Sequence, residues 1–223
     1  MKLKREVPKL PTPGDSPQGI CSGNANEFKI LGLGESPMAG VGISKHSLTL
    51  TGLTAVRLNK LLGCKISWKI LAENGLILKN LNKLISEQLY ENVDLVLVSI
   101  GGNDVFKLTP PWVWKKNIDT CVRFLIQNYN KPLILFSPVP PVGRFPAIPV
   151  PLSIAFGFWE FLLQASLVQT INSIDKAYLL NESFPGDKKY YLEDGIHPSP
   201  LAYGPWSEKL ANMTLELLNQ KKM

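Results

Sequence analysis

Cysteine is scarce and shows no pairing pattern: Cys21, Cys64 and Cys121 are far apart, odd in number, and no CxxC occurs. That excludes a disulfide framework and a zinc knuckle, and reduced thiols are the expected state. No run reaches about 18 uninterrupted apolar residues, so no transmembrane segment is expected. The opening "MKLKREVPKLPTPGDSPQG" lacks the apolar core of a signal peptide. A cytoplasmic location is the expectation from these two absences. Clustered basic charge is missing as well. The net charge is +6, but the lysines and arginines are scattered, with "MKLKR" and "QKKM" at the two ends. Such charge is the solvated kind, and no nucleic-acid partner is expected. Only two histidines occur, His46 and His197. No metal site and no cofactor is expected.

What remains suits one compact domain. The chain has 223 residues, 45% of them hydrophobic and 19% charged, enough to bury a core. Oligomeric state is not legible. Residues 1–26 carry Pro, Gly, Ser and Asn with little apolar patterning and read as an N-terminal arm. The domain then occupies 27–223. "FKILGL" (28–33) is a buried strand closed by glycine. "SLTLTGLTAVRLNKLLG" (47–63) has helical spacing with Gly63 as its stop. "KISWKILA" (65–72) is a second strand, and 76–90 is helical. "VDLVLVSIGGND" (93–104) is a β-branched run ending in glycines. Residues 112–129 are helical, "KPLILFSPVPP" (131–141) is a strand, and 153–179 reads as one helix with a weak point at Gly157. "YYLEDGIHPSP" (190–200) is a short strand or turn. The last helix spans 202–222 and begins near Pro205.

Strand and helix alternate, and the strands are apolar on both faces. That predicts a parallel sheet between helical layers. Right-handed crossovers bring every strand's C-terminal end to one edge, where function sits. Gly34-Glu35-Ser36 falls there, as do Asn74-Gly75 and Gly101-Gly102-Asn103-Asp104. Asp194 and His197 come from the late segment.

Two serines stand between an acid and a proline. Ser16, in "PTPGDSPQG", follows no strand and sits in turn chemistry. Ser36, in "GLGESPMAG", follows a buried strand and a turn-permitting glycine. A helix-capping serine would look the same. The histidines weigh toward chemistry. A serine that attacks an acyl carbon needs a base, and His197 stands three residues after Asp194, in reach of a carboxylate that fixes its tautomer. His46, in "GISKHSLT", has no such escort in sequence and reads as a loop or capping residue. Asn103 at a strand end can aim its amide at a developing oxyanion, and Gly75 can add a backbone N–H. Asp104 reads as a cap.

Taken together these blocks resemble the SGNH hydrolases, also called GDSL-type esterases and lipases. The matching positions are Ser36 in "GESPMAGVG", Gly75 in "ENGL", Asn103 in "GGND" and His197 in "DGIHPS". "VPPVGRFPAIPVPL" (139–152) also resembles a loop of a bacterial subgroup. The resemblance implies a flavodoxin-like three-layer α/β/α sandwich with a five-stranded parallel sheet. It implies Ser36 as nucleophile, His197 as base, Asp194 as its orienting acid, and an oxyanion hole of the Ser36 N–H, the Gly75 N–H and the Asn103 side chain. The usual Gly-Asp-Ser is Gly-Glu-Ser here, which places an extra methylene beside the nucleophile.

The expected activity is hydrolysis of small or short-to-medium acyl esters through an acyl-serine, with a small-molecule ester as partner. Pro140, Phe145, Pro146 and Ile148 are expected to line the acyl pocket. The same stretch, 143–163, also fits a core helix with a rigid lead-in, or weak contact with a lipid surface. An acyltransferase would use the same residues with another acceptor. A lipid-binding protein without turnover would bind liposomes regardless of Ser36. A dinucleotide module is disfavoured because Pro37 breaks the G-x-G-x-x-G pattern. The G-x-S-x-G elbow of α/β-hydrolases is absent, since Pro37 and Met38 follow Ser36.

Overall fold

The computed structural model describes residues 10–88, 92–181 and 187–220. The first nine residues of the predicted arm, the end of the predicted helix 76–90 and the basic tail from 221 lie outside them. Six strands form one sheet: β1 (Gln18–Cys21), β2 (Asn24–Gly34), β3 (Cys64–Ala72), β4 (Leu95–Ser99), β5 (Leu133–Phe136) and β6 (Ala177–Leu179), in spatial order β1-β3-β2-β4-β5-β6. From β3 to β6 neighbours run parallel, and β1 alone is antiparallel. The helices are α1 (Ser36–Ala39), α2 (Leu50–Leu62), α3 (Leu78–Glu87), α4 (Gly102–Phe106), α5 (Pro111–Asn128), α6 (Leu152–Ile171) and α7 (Pro200–Gln220). Single 3₁₀ turns stand at His46–Leu48, Val142–Arg144 and Lys188–Tyr190.

Alternation along the strands builds two cores. Leu95 and Leu97 of β4, with Leu133 and Leu135 of β5, point to the face covered by α2 and α7. Val96, Val98, Ile134 and Phe136 point to the face covered by α3, α5 and α6. Successive side chains of a strand face opposite ways, so a strand buried on both sides is apolar throughout. This is the three-layer sandwich expected.

The sheet has six strands rather than five. Pro17 accepts the Ile70 N–H at 2.8 Å, and Gln18–Cys21 then pair along the free edge of β3. Part of the predicted arm is therefore sheet. The last parallel strand also differs from expectation, because the helix predicted over 153–179 stops at Ile171. Asn172 and Ser173 end its apolar pattern, and Lys176, at φ +67°, turns the chain into β6. The segment 190–200 forms a 3₁₀ turn and one isolated bridge, Tyr191 to Pro198. α7 begins at Pro200 and runs through Pro205.

His46 does have an escort. Its Nδ1 lies 2.8 Å from Asp15 Oδ1, and its backbone N–H donates to the same carboxylate. The "GDS" at 14–16 thus clips the arm to the 3₁₀ turn before α2. Ser16 lines a hollow with Gln18, Lys69 and Trp68 that holds no histidine.

Gly157 is no weak point in α6. Its neighbour is Gly143, whose added Cβ would lie 2.6 Å from the Gly157 Cα. A Cβ on Gly157 would meet only ordinary contact, 3.5 Å from Gly143. The Glu160 carboxylate accepts the Gly143 N–H at 3.1 Å and fixes the crossing. Gly143→Ala is therefore expected to lower stability, since backbone must move. Gly157→Ala should be neutral or raise stability by up to about 1 kcal/mol through helix propensity. Urea midpoints of the two variants check the pair, and equal losses would contradict the packing.

Candidate active site

The strand order reverses at β2: the chain leaves it sideways to β3, then returns past it to β4. Loops leaving β2 and β4 therefore diverge and open a crevice at the C-terminal edge. β2 ends pressed against its neighbour. A Cβ on Gly34, at φ +155°, would sit 2.0 Å from the Ser99 carbonyl oxygen. Only glycine brings the next residue so close to β4. The Glu35 N–H then donates to Ser99 O at 3.1 Å, and Ser36 opens the one-turn α1. As first residue of that turn, Ser36 has a backbone N–H without a partner inside the helix.

The extra methylene of Glu35 has a visible use. Its carboxylate crosses from the end of β2 to the loop after β4 and accepts three N–H groups. These are the backbone of Gly102 at 2.7 Å, the backbone of Asn103 at 2.9 Å, and the Asn103 side-chain amide. Burial pushes the Glu35 carboxyl up to about 7 against the pull of those donors, with the Asp104 charge adding to the rise. Asp104 faces the other way. It accepts the Leu78 N–H and the Thr109 hydroxyl, each at 2.9 Å, and so caps α3. Its own carboxyl is raised to about 6 by burial.

His197 arrives from the turn before α7. Its Nδ1 bonds Asp194 Oδ2, while Asp194 Oδ1 accepts the N–H groups of Ile196 and His197, each at 3.0 Å. Gly195, at φ +64°, tightens this turn. Asp194 is buried, so its charge acts on the ring with little screening. Ser36, Asn103 and His197 line one cleft of about 170 Å³ with Glu35, Pro37, Asn74, Gly102, Phe106, Pro140, Phe145 and Ile196. No hydrogen bond joins the Ser36 hydroxyl to the His197 ring among the described residues. Such contacts often close only around substrate. A serine hydroxyl, an imidazole held by a buried carboxylate, and amide N–H groups beside them form a set able to perform acyl transfer.

Residues 33–204 match the model of the GDSL-like Lipase/Acylhydrolase family. The chain belongs to this family. Solved structures with the same fold include a psychrotrophic esterase, EstA, from Pseudoalteromonas sp., in a structure inhibited by monoethylphosphonate. It is 17% identical over 86% of this chain and 98% of that one, with a TM-score of 0.64. Est24, a carbohydrate acetylesterase from Sinorhizobium meliloti, is 16% identical over 85% and 99%, with a TM-score of 0.60. A family two carbohydrate esterase from Clostridium thermocellum is 17% identical over 86% and 65%, with a TM-score of 0.64. At these identities the likeness is one of fold. No curated protein matches the chain.

Within this GDSL-like acylhydrolase the structure sorts the predicted residues. Ser36, Asn103 and His197 meet in the cleft, with Asp194 directly behind the ring. Gly75, at φ +82°, turns the chain beside Asn74, which lines the cleft; Gly75 is not itself among the lining residues. Pro140 and Phe145 wall the cleft, but Pro146 and Ile148 do not. Pro146 packs on Gly195, bracing the acid's turn from outside, and Ile148 packs into the core beneath α6. The lining role of Phe106 and Ile196 was missed, because each reads in sequence as an isolated apolar residue beside a motif. In sequence Glu35 reads only as a departure from the usual Gly-Asp-Ser. Its reach across the crevice depends on the distance between β2 and β4, which no local pattern reports.

Proposed function

We infer that this acylhydrolase is a serine esterase that cleaves short-acyl carboxylic esters through an acyl-serine. The observation that carries the reading is the convergence of Ser36, Asn103 and His197 on one cleft, with His197 bonded to buried Asp194. Ser36 Oγ forms a bond to the ester carbonyl carbon as its proton passes to His197 Nε2. The carbonyl oxygen becomes an oxyanion facing the Ser36 N–H and the free N–H of the Asn103 amide. Collapse breaks the bond to the alkoxy oxygen, and His197 returns the proton to the departing alcohol. Water, deprotonated by His197, then releases the acid and restores Ser36. Asp194 keeps Nδ1 protonated and stabilises the imidazolium formed in each half.

Cleft size supports a short acyl group. About 170 Å³ is below the range usual for drug-sized ligands. An apolar hollow of about 60 Å³, behind Pro37, Pro140, Phe145 and Ile196, extends the space by only a few carbons. Est24, a carbohydrate acetylesterase that shares this fold, agrees with this choice. Hydrolysis of p-nitrophenyl esters across chain lengths tests it. The expected result is a kcat/KM for acetate or butyrate at least about tenfold above that for laurate. A preference for laurate would refute the short-acyl reading. Failure to cleave any of them would refute the esterase.

A further inference from the structure

Helix α6 turns an apolar face to water. From Val150 to Val168 every exposed residue is apolar: Val150, Pro151, Leu152, Ile154, Ala155, Phe158, Phe161 and Ala165. Ile154, Phe158 and Phe161 are 68%, 61% and 65% exposed and follow one another at helical spacing. The face is roughly 20 Å long. Trp112, 73% exposed at the start of α5, and Leu108 extend the apolar surface on the segment packed beside α6. The opposite side of α6 is structural. Leu163, Leu167 and Ile171 are buried, Glu160 holds Gly143, and Trp159 donates to Thr109 O at 2.9 Å. By length and composition α6 could cross a membrane, but these contacts make its inner side part of the domain. Monomeric proteins rarely show water so large an apolar surface without a use.

Charge around the face identifies what covers it. The two segments beside the exposed apolar part of α6, residues 105–118 and 138–151, hold four charged side chains, and all are basic: Lys107, Lys115, Lys116 and Arg144; the exposed Asp175 lies past the end of the helix at Ile171, and Asp119 on α5 is paired with Arg123. All four basic side chains are exposed. The one acid on α6, Glu160, is half-buried and turned onto the Gly143 N–H. Lys115 marks the far end of the face, reaching Gln169 at 3.0 Å. An apolar helical face with this basic rim, its own acid turned inward, matches a surface of acyl chains under anionic headgroups. A second copy of the chain would bring its own basic rim against this one.

We propose that the outer face of α6, with Trp112 and Leu108, docks the protein on an anionic lipid surface. Phe156, on the same helix, packs edge-on against Phe106 at 5.3 Å, and Phe106 walls the cleft. One ring contact thus separates the docking helix from the cleft wall; that esters carried by the lipid surface are its substrates rests on the esterase reading above.

Sedimentation of the full chain with vesicles tests the docking, using phosphatidylcholine alone and phosphatidylcholine mixed with phosphatidylglycerol. Binding to the anionic vesicles is expected, weakening as salt rises. Phe158→Ser with Phe161→Ser should weaken it at least about tenfold, and Lys115→Gln with Lys116→Gln about fivefold per lysine. Ser36→Ala should bind as the parent does, which separates docking from turnover. The Phe158/Phe161 variant should keep the parent's rate on a soluble acetate ester, showing that it is folded, because neither ring lines the cleft. Absence of binding to anionic vesicles by the folded parent would overturn the proposal. So would a dimer in light scattering that the Phe158/Phe161 variant dissolves while vesicle binding is unaffected.

Discussion

Ser36→Ala is expected to lower kcat for ester hydrolysis by about 10⁴-fold or more, with no loss of stability. The magnitude follows from the way a nucleophile and its base act as one device: removing either removes the covalent route, and what remains is binding and oxyanion stabilisation. His197→Ala should therefore cost about as much, and the double variant little more than either alone. Stability should be spared at position 36, since the Ser36 hydroxyl enters no hydrogen bond among the described residues. Position 197 is different. Its ring bonds Asp194 Oδ2, and Asp194 is buried, so His197→Ala leaves that oxygen without its partner and should also lower the melting temperature. A second readout is covalent. An ethyl phosphonate ester reagent should add one phosphonyl group to the parent, detected by mass, and none to Ser36→Ala. A Ser36→Ala protein that kept a tenth of the parent's rate would move the nucleophile elsewhere.

Much of this site was readable because its chemistry sits in short blocks at strand ends. The run "FKILGL" is apolar because β2 is buried on both faces, and the residues after it must lie at the sheet edge. Asn103 follows β4 at the same edge for the same reason. His197 could be chosen over His46 by its spacing from Asp194, although His46 proved to have a distant partner, Asp15, 31 residues away. What escaped reading shares that character. β1 is short and half-exposed, and its only claim to be a strand is the free edge of β3. β6 is three residues long, and its pattern runs on from α6 without a proline or glycine to mark the break. Pro146 and Ile148 differ from Phe145 only in which way the loop turns them. These are questions of distance between elements, and sequence periodicity carries no measure of it.

Glu35 is the residue where that distance matters most to chemistry, and Glu35→Ala is expected to cost about as much turnover as Asn103→Ala, roughly a hundred-fold. Asn103→Ala removes the amide donor. Glu35→Ala leaves the amide present but unheld, and strips the Gly102 and Asn103 N–H groups of their acceptor. The double variant should be little slower than either single one, because both changes disable one donor. Glu35→Asp draws the carboxylate back by about one C–C bond and should recover only part of the rate. The pH dependence is more diagnostic still. Three N–H donors need the ionised carboxylate, so as pH falls through about 7, where burial has raised this group, the hold on Asn103 loosens and the rate falls. The acid limb of the parent's profile should therefore carry the proton of Glu35, and that contribution should be missing from the limb of Glu35→Gln. Stability must run the opposite way. A carboxyl raised from 4.5 to about 7 on folding binds its proton more tightly in the native state. Its stabilising contribution is complete below 4.5 and is lost as pH rises through 7, a change of about 3 kcal/mol. Relative to Glu35→Gln, the parent should lose stability between pH 5 and 8, to be followed by urea denaturation, while gaining rate over the same interval. Parallel stability curves for the two proteins would show that Glu35 ionises as freely in the fold as outside it, and an unchanged rate in Glu35→Ala would show that Asn103 needs no anchor.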